Sequence, residues 1–508
     1  MIADIKALIV VLVLAETVFR LARPVALRFM SIEDFLRRRF VWFALTAVSF
    51  ISPNFWVYAI VAVPTLVWAN RNDSNPIALY LFLLHVVPPV GAIIPVLGNN
   101  GLFPLDNYRL LAFCVLLPST IRYRKNNDTR IVRAFGAMDV LLLAFGALQV
   151  ALYVAPDLPH HFRIPDSPTN ALRRAVLYLL DIYLLYFATS RFCKSRKQLQ
   201  EAAAAFCLGC AVMAALAIFE RTRNWLLFVN IAYHWGNIET FYLSRGGSVR
   251  AQVSAGHSIA LGYLLVIAFG FWLGLKSQIH RRIQRAGVTL LFWGGLIAAF
   301  SRGGWLGGAV AFFTFIAIGP HAISRALKGG AIALAVGALI AVSPLGNEIL
   351  DMLPKTGQPA DEYRHQLAER GWEVALASPL FGDQFPWPKM EDLRQGEGII
   401  DIVNTYLGVA LNYGLVGLFL FLAFILLGMI RTYFRARELT QVDPNFALFG
   451  ASLIACIVST LVMIDTASFM AGLEKMFYVL GGFTTAYSRL TRTPLDLSAV
   501  SDSDNESS

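Results

Sequence analysis

Charged side chains are scarce in this sequence of 508 residues, of which only 15% are Asp, Glu, Lys or Arg. A soluble domain has about 25% charged residues, so the composition excludes a chain built from ordinary soluble domains. Apolar residues make up 57% of the sequence. They form blocks about as long as the ~20-residue helix that crosses a ~30 Å hydrocarbon layer. The sequence therefore predicts an all-α, polytopic integral membrane protein with 13–15 transmembrane helices.

Familiar catalytic and metal-binding motifs are also lacking. There is no HExxH, no phosphate-binding P-loop and no GxSxG nucleophile motif. Only five cysteines are present, and the CxxC of Cys207 and Cys210 lies in an apolar run without a second pair of ligands. Such cysteines are typical of small packing residues. We therefore predict no metal site and no cofactor.

The apolar runs divide the chain into five regions. We predict N-terminal transmembrane helices over 1–245, core transmembrane helices over 246–346, a large polar loop over 347–404, C-terminal transmembrane helices over 405–490 and a disordered tail over 491–508. The tail is acidic and rich in serine, with too few apolar residues to fold. The candidate spans are 5–20, 40–51, 55–69, 76–96, 106–120, 135–155, 172–190, 199–219, 256–275, 287–300, 304–319, 329–345, 405–428, 445–465 and 472–488.

Basic residues orient these spans. If the polar loop lies outside the cytoplasm, the connections that alternate to the inside hold 27 of the 43 Lys and Arg residues. That distribution agrees with the positive-inside rule, and it accounts for the net charge of +10. We therefore predict a multi-pass protein of a cytoplasmic membrane with its large loop outside. Nucleic acid is not an expected partner, because no basic patch is interleaved with aromatic residues on a soluble face.

Arginines on the predicted outer side are the first candidates for a functional site. Arg302 lies in FSRGGWLG, at the tip of a hairpin between two spans, where it either caps the preceding helix or binds an anion. Arg245 and Arg250 flank a glycine pair, and Arg250, Ser254 and His257 are spaced to share one helix face. Arginines and glycines at the start of a helix are typical of a phosphate site. An interfacial anchor is the alternative.

The polar loop supplies the remaining candidates. We predict a helix over Asp361–Ala377, with Arg364 and Trp372 on one face and His365 beside it, followed by a turn at 381–383. A solvated surface helix is the alternative interpretation. Directly before the span at 405–428 stand Asp401 and Asn404, where a pocket floor would meet the membrane.

These motifs, in this order, resemble the O-antigen ligase and polymerase superfamily, which includes the Wzy-type polysaccharide polymerases. The resemblance extends from Arg245 to about Ile430 and is carried by FSRGGWLG, YRHQLAERGW, SPLFGDQF and VNTYLGVALNYGLVGLFLFL. It implies a GT-C-like membrane glycosyltransferase. Such an enzyme transfers a glycan from an undecaprenyl diphosphate carrier to a sugar hydroxyl on the periplasmic side of the bacterial inner membrane.

The resemblance also implies roles for the candidate residues. Arg302 and Arg250 would hold the diphosphate, and either Asp401 or His365 would accept the proton of the attacking hydroxyl in a metal-independent, inverting displacement. The implied partners are the carrier-linked glycan, an acceptor glycan or glycolipid, the bilayer and a polysaccharide chain-length regulator. The substrate-binding candidates are Arg364, Arg245, His257, Trp372, Asn404 and Tyr406.

One position departs from the ligase pattern. Ligases carry a histidine directly before the asparagine of the last motif, and this sequence has Val403 there. The departure favours a polymerase of O-antigen or exopolysaccharide repeat units over a ligase that joins polysaccharide to lipid A core. Two further alternatives are a flippase for lipid-linked glycans and a non-catalytic scaffold of a polysaccharide export complex.

Overall fold

The computed structural model of the chain describes residues 2–93, 104–125, 135–154, 168–236, 244–245, 248–319, 359–383, 386–395, 398–469 and 472–491. The described part is almost wholly helical, as predicted, and its extended segments are two short antiparallel pairs. The predicted span at 329–345 and the predicted tail, apart from its first residue, lie outside the described residues. The chain is an all-α polytopic membrane protein.

The N-terminal half contains eleven of the helices within the described ranges. They are α1 (Ile2–Ala26), α2 (Ile32–Ile51), α3 (Phe55–Asn72), α4 (Pro76–Leu83), α5 (Asn107–Leu111), α6 (Leu117–Lys125), α7 (Ala137–Val154), α8 (Pro168–Tyr178), α9 (Leu184–Arg191), α10 (Arg196–Arg223) and α11 (Val229–His234). Single π-helical turns, Ala112–Leu116 and Leu179–Tyr183, join α5 to α6 and α8 to α9. Strand β1 (Gly91–Ile93) pairs with β2 (Pro104–Asp106).

The C-terminal half contains longer apolar helices. After the pair β3 (Ser244–Arg245) and β4 (Ser248–Val249) come α12 (Ser258–Leu275), α13 (Arg282–Ala299), α14 (Arg302–Ile318), α15 (Pro359–Ala377), a 3₁₀ segment (Trp387–Leu393), α16 (Thr405–Leu439), α17 (Pro444–Asp465) and α18 (Glu474–Leu490). Four segments of the described chain are long and apolar enough to cross a membrane: Arg196–Arg223, Ser258–Gln278, Thr405–Leu439 and Pro444–Asp465. The larger count of 13–15 spans stays a prediction.

Helix α12 lies at the centre of the bundle. Almost all of its residues are buried, and it packs against α10, α13, α14 and α17. Small residues allow the close contacts: Gly262 faces Gly304 of α14, and Gly270 faces Cys456 of α17. Close approach of backbones at small residues is the usual way in which membrane helices associate.

The predicted span at 76–96 is wrong beyond Leu83. Helix α4 ends there, a turn follows, and Gly91–Ile93 forms a strand. The reason is local, because Pro88 and Pro89 have no amide hydrogen to donate and would clash with the preceding turn of a helix.

Helix α16 is interrupted at Gly414, where the backbone φ is 65° and ψ is −170°. The prediction of one continuous helical span over 405–428 is therefore wrong at this residue. The turn at 379–383, PLFGD, fills the interruption and satisfies the peptide groups that it frees, as an apolar setting requires. The amides of Leu415 and Val416 donate to the carbonyls of Pro379 and Leu380, and the amide of Asp383 donates to the carbonyl of Leu411.

Contacts with α17 show that α16 bends at this point. The hydroxyl of Tyr406 donates to the carbonyl of Leu461 at 2.6 Å, and a Cβ added at Gly450 would lie 2.9 Å from the Cβ of Ala436. In a straight helix the 30 residues from Tyr406 to Ala436 would span about 45 Å, whereas the 11 residues from Gly450 to Leu461 span about 16 Å. The first segment of α16 therefore lies at a large angle to the second.

Replacing Gly414 with Ala should destabilise the protein by about 2 kcal/mol or more, because a side chain at positive φ is strained. The added Cβ would also overlap the carbonyl oxygen of Leu380. Gly408→Ala is the matched control in the same helix, since its nearest neighbour is a methyl group of Ile402 at 3.8 Å. The measurement is the melting temperature in detergent. Equal melting temperatures for the two variants would contradict the packing of the turn at 379–383 against Gly414.

Candidate functional site

The hairpin between α13 and α14 is as short as the sequence predicts. Helix α13 ends at Phe300, whose φ is 50° and ψ is 46°, and Ser301 caps α14 by accepting a hydrogen bond from Gly304 N. Arg302 is thus the first residue of α14. A helix N-terminus presents unpaired amides and a partial positive charge. Arg302 adds a full positive charge at that end, which suits an anion.

The segment that carries Arg250 lies beside this hairpin. Its neighbour Ala251 donates a backbone hydrogen bond to Ala298 O, close to the end of α13, at 3.1 Å. The fully buried carboxylate of Glu220 fixes the segment, since it accepts from the amides of Gln252 at 2.9 Å and Val253 at 3.0 Å. Packing and hydrogen bonding therefore bring the Arg250 segment and the Arg302 hairpin to the same end of the bundle.

Arg221, at the end of α10, joins the same two segments. Its guanidinium lies 4.4 Å from the ring centroid of Phe300, and it donates to the carbonyl of Val249 at 3.2 Å. One side chain thus contacts both the residue that ends α13 and the strand that leads into Arg250. Neither Arg221 nor Glu220 is among the residues that we predict for the site.

His257 is the N-cap of α12. Its Nδ1 accepts a hydrogen bond from Ile259 N at 3.1 Å, which places the ring proton on Nε2. Burial, and secondly the positive charge of Arg250, lower the pKa of His257 to about 4. The imidazole is therefore neutral at pH 7, and its interaction with Arg250 places the two side chains near each other.

Arg250, Ser254 and His257 do not share a helix face, so that prediction is wrong. A 3₁₀ turn over Val253–Ala255 precedes α12, and the buried Ser254 hydroxyl donates to the carbonyl of His85 at 2.8 Å. The positive φ of Val253 and Gly256 separates the turn from the helix. Arg245 lies in β3 opposite Ser248; its side chain, and the glycine pair at 246–247, lie outside the described residues.

The start of α16 meets the end of α17 at a pair of polar side chains. Asn404 caps α16 by accepting from Leu407 N, and its Nδ2 donates to an oxygen of Asp465 at 2.9 Å. A Cβ added at Gly303 would lie 3.0 Å from the hydroxyl oxygen of Thr466. Thr466 therefore lies beside the first turn of α14, and the exposed Asp465 is the residue directly before it.

Helix α15 places its candidates differently. The side chain of His365 is 74% exposed, with Glu369 at 3.5 Å as its charged neighbour, and Arg364 is exposed as well. Trp372 packs against the small apolar core between α15 and α16. The hydroxyl of Tyr363 holds the backbone of Asp401. It donates to the Asp401 carbonyl at 3.1 Å and accepts from the Asp401 amide at 3.0 Å.

Two groups of candidates result. Segments carrying Arg250, His257, Arg302 and Asn404 are linked through direct contacts at one end of the bundle, and Tyr406 lies there too with its hydroxyl bonded to Leu461 O. Arg364 and His365 lie on the exposed face of α15. Asp465, which is not among the residues that we predict for the site, joins the first group. Its position at the end of the apolar run 445–465 was the available signal.

The comparisons with known proteins bear on this arrangement. Residues 286–422 match the family model described as O-antigen ligase. The match includes α13, α14, α15 and the first segment of α16, and therefore Arg302, Asn404 and the PLFGD turn. A search of curated proteins finds no match.

Stability should fall as the pH drops from about 6.5 towards 4, since protons bind His257 more tightly in the unfolded chain. The folded pKa of about 4 against an unfolded value of about 6.5 predicts a loss of about 2 kcal/mol between pH 7.5 and pH 5. His257→Asn keeps a capping side chain but cannot titrate. The melting-temperature difference between wild type and His257→Asn should therefore shrink at pH 5. His280→Asn, on an exposed residue, controls for the mutation itself, and an unchanged difference would show that His257 is not buried neutral.

Proposed function

We propose that this chain, whose residues 286–422 match the O-antigen ligase family model, is a polymerase of O-antigen or exopolysaccharide repeat units. Enzymes of this family act in the membrane on a lipid-linked glycan and an acceptor. The proposed donor is a glycan on undecaprenyl diphosphate, and the acceptor is a sugar hydroxyl of another repeat unit. The reaction takes place on the periplasmic face of the inner membrane.

The observation that supports this most is the convergence of three elements at one end of the bundle. The N-terminus of α14 with Arg302 lies beside the Arg250 segment on one side and beside the Asn404–Asp465 pair on the other. The N-terminus of α14 and the Arg250 segment offer positive charge and backbone amides, and the Asn404–Asp465 pair offers a carboxylate. A diphosphate leaving group and a hydroxyl nucleophile need these two kinds of group.

In the proposed mechanism, Arg302 and Arg250 bind the diphosphate and stabilise the negative charge that grows on it as the glycosidic bond breaks. Arginine suits this role since it stays charged and donates to phosphate in pairs. The acceptor oxygen attacks the anomeric carbon from the opposite face, so the configuration inverts. The electron pair of the broken bond goes to the diphosphate oxygen, and no metal ion takes part.

We assign the acceptance of the hydroxyl proton to Asp465, with Asp401 and His365 as the alternatives. The carboxylate of Asp465 is exposed and accepts a hydrogen bond from Asn404 at 2.9 Å, and the next residue, Thr466, lies beside the first turn of α14. His365 is itself exposed, and so is Glu369, its charged neighbour at 3.5 Å. Arg364 and Trp372, on α15, are proposed to contact the glycan, and Arg245 and His257 to complete the diphosphate site.

Val403 favours the polymerase over the ligase. The ligase pattern has a histidine at this position, directly before the asparagine, whereas here an apolar side chain precedes Asn404. A polymerase would further need a chain-length regulator as a partner. Attachment of finished polysaccharide to lipid A core is the second candidate, and the polysaccharide profile distinguishes the two.

Replacing Arg302 or Arg250 with Gln should reduce polymer formation by a factor of about 10²–10³, the cost of removing one group that stabilises transition-state charge. The test is polysaccharide chain length on a gel, in a deletion strain complemented with each variant at matched protein level. Arg223→Gln is the control, because Arg223 is an exposed arginine at the end of α10. Single repeat units in the arginine variants support a polymerase, and long polymer left unattached supports a ligase. Full complementation by both variants would place the site elsewhere.

Replacing Asp465 with Asn should lower the turnover rate by a factor of about 10²–10⁴, the usual contribution of a general base. The isosteric amide should leave binding of the carrier-linked donor nearly unchanged. Turnover by purified protein, measured in parallel for Asp465→Asn, Asp401→Asn and His365→Gln, identifies the proton acceptor. A normal rate for Asp465→Asn beside a slow rate for either other variant would transfer the role to that residue.

A further inference from the structure

A separate cavity of about 300 Å³ opens between α1 and α2. The residues of α1 that line the cavity lie at positions 16, 19, 20 and 23. This spacing follows the helical period, so they share one face of the helix. Four of the lining side chains are charged and three are apolar. They are Glu16, Arg20, Arg23, Arg39, Phe19, Phe35 and Leu36.

The charges that line this cavity do not balance. Glu16 is its only acid, and it pairs with Arg20 at 2.7 Å and with Arg39 at 2.6 Å. The side chain of Arg23 makes no hydrogen bond or ion pair with the residues that the structure describes, although its backbone carbonyl accepts from the amide of Leu27 at 3.0 Å. The Nε of Arg39 is buried and likewise has no hydrogen-bond acceptor in the described part of the chain. The cavity therefore carries two positive charges in excess.

Neighbouring arginines of the same segment show that this excess is local. Arg38 is fully buried between Asp73 and Glu201, with both contacts at 2.7 Å. Arg37 pairs with Asp34 at 2.5 Å. Each of these arginines has its own carboxylate, whereas the three cavity arginines share one.

Apolar side chains of α1 and α2 that line the cavity, or stand next in sequence to residues that line it, are exposed. Leu21 is 74% exposed, Phe40 57% and Leu36 45%. In a membrane protein such side chains face acyl chains. The ligand that fits both features has an anionic head and an apolar tail. The same segment, 20–39, lies on the side that the distribution of basic residues assigns to the cytoplasm, where membranes expose anionic lipids.

We propose that this cavity binds the phosphate headgroup of an anionic membrane lipid. Arg23 and Arg39 donate to the phosphate oxygens, Glu16 offsets one of the three positive charges, and the acyl chains follow the exposed apolar side chains of α1 and α2. Guanidinium groups suit a phosphodiester because they bind two oxygens at once. The site lies on α1 and α2, outside the residues that match the O-antigen ligase model, so it stands apart from the glycan chemistry.

The test is binding of dioleoylphosphatidylglycerol to the purified full-length protein in detergent, measured as lipid-bound species by native mass spectrometry. Arg23→Gln and Arg39→Gln should each weaken binding about tenfold. Arg28→Gln is the matched control, because Arg28 is exposed in the link from α1 to α2 and does not line the cavity; it should weaken binding less than twofold. Glu16→Gln should strengthen binding several-fold, since it removes the carboxylate that competes with the phosphate.

Three results would overturn the proposal. Equal losses for Arg23→Gln and Arg28→Gln would mean that net charge alone attracts the lipid. Equal binding of dioleoylphosphatidylcholine, which is zwitterionic, would remove the need for an anionic head. Inorganic phosphate that binds by itself and displaces the lipid would assign the cavity to a soluble phosphate compound instead. A melting temperature for each variant ensures that only folded protein is compared.

Discussion

The hydrogen bonds between the PLFGD turn and the interrupted helix α16 are the constraint on which the candidate site depends. An interruption in an apolar helix leaves peptide groups without partners, and such groups are costly away from water. Here the turn at 379–383 supplies the partners, and it fits only because Gly382 and Gly414 bring backbone against backbone. The bend then carries the first turn of α16, with Asn404, to the end of α17, where Asp465 stands.

A second constraint places the arginines. The peptide groups around Arg250 are held by the carboxylate of Glu220, and those around Arg302 by the close contact of Gly262 with Gly304. Two charged pairs within the helices are matched: Arg109 pairs with Asp181, and Arg191 with Asp139, both at 2.7 Å. Such pairing reduces the cost of charge in an apolar bundle. It also weakens the flippase alternative, which calls for charges facing a central cavity.

Much of the helix order could be predicted from the sequence, because each apolar run long enough to span a bilayer is also a strong helix signal. The hairpin before Arg302 and the helix at 359–377 follow from local glycine, serine and proline signals. What could not be predicted depends on contacts distant in sequence. The break at Gly414 requires the turn at 379–383 to fill it, and the role of Glu220 requires amides more than thirty residues away. The position of Asp465 against Asn404 likewise follows from packing alone.

The hydrogen bonds between the turn at 379–383 and α16 also determine where this chain could be divided to exchange a segment with another protein. The sequence divides the chain at residue 404, between a polar loop and an apolar helix. The hydrogen bonds place the natural boundary after Val416, because the turn at 379–383 and the helix at 411–416 share one set of peptide partners. A chimera that exchanges the loop alone would leave those partners mismatched on both sides. A segment exchanged with another protein would therefore have to run from the start of α15 through Val416 to keep these hydrogen bonds intact.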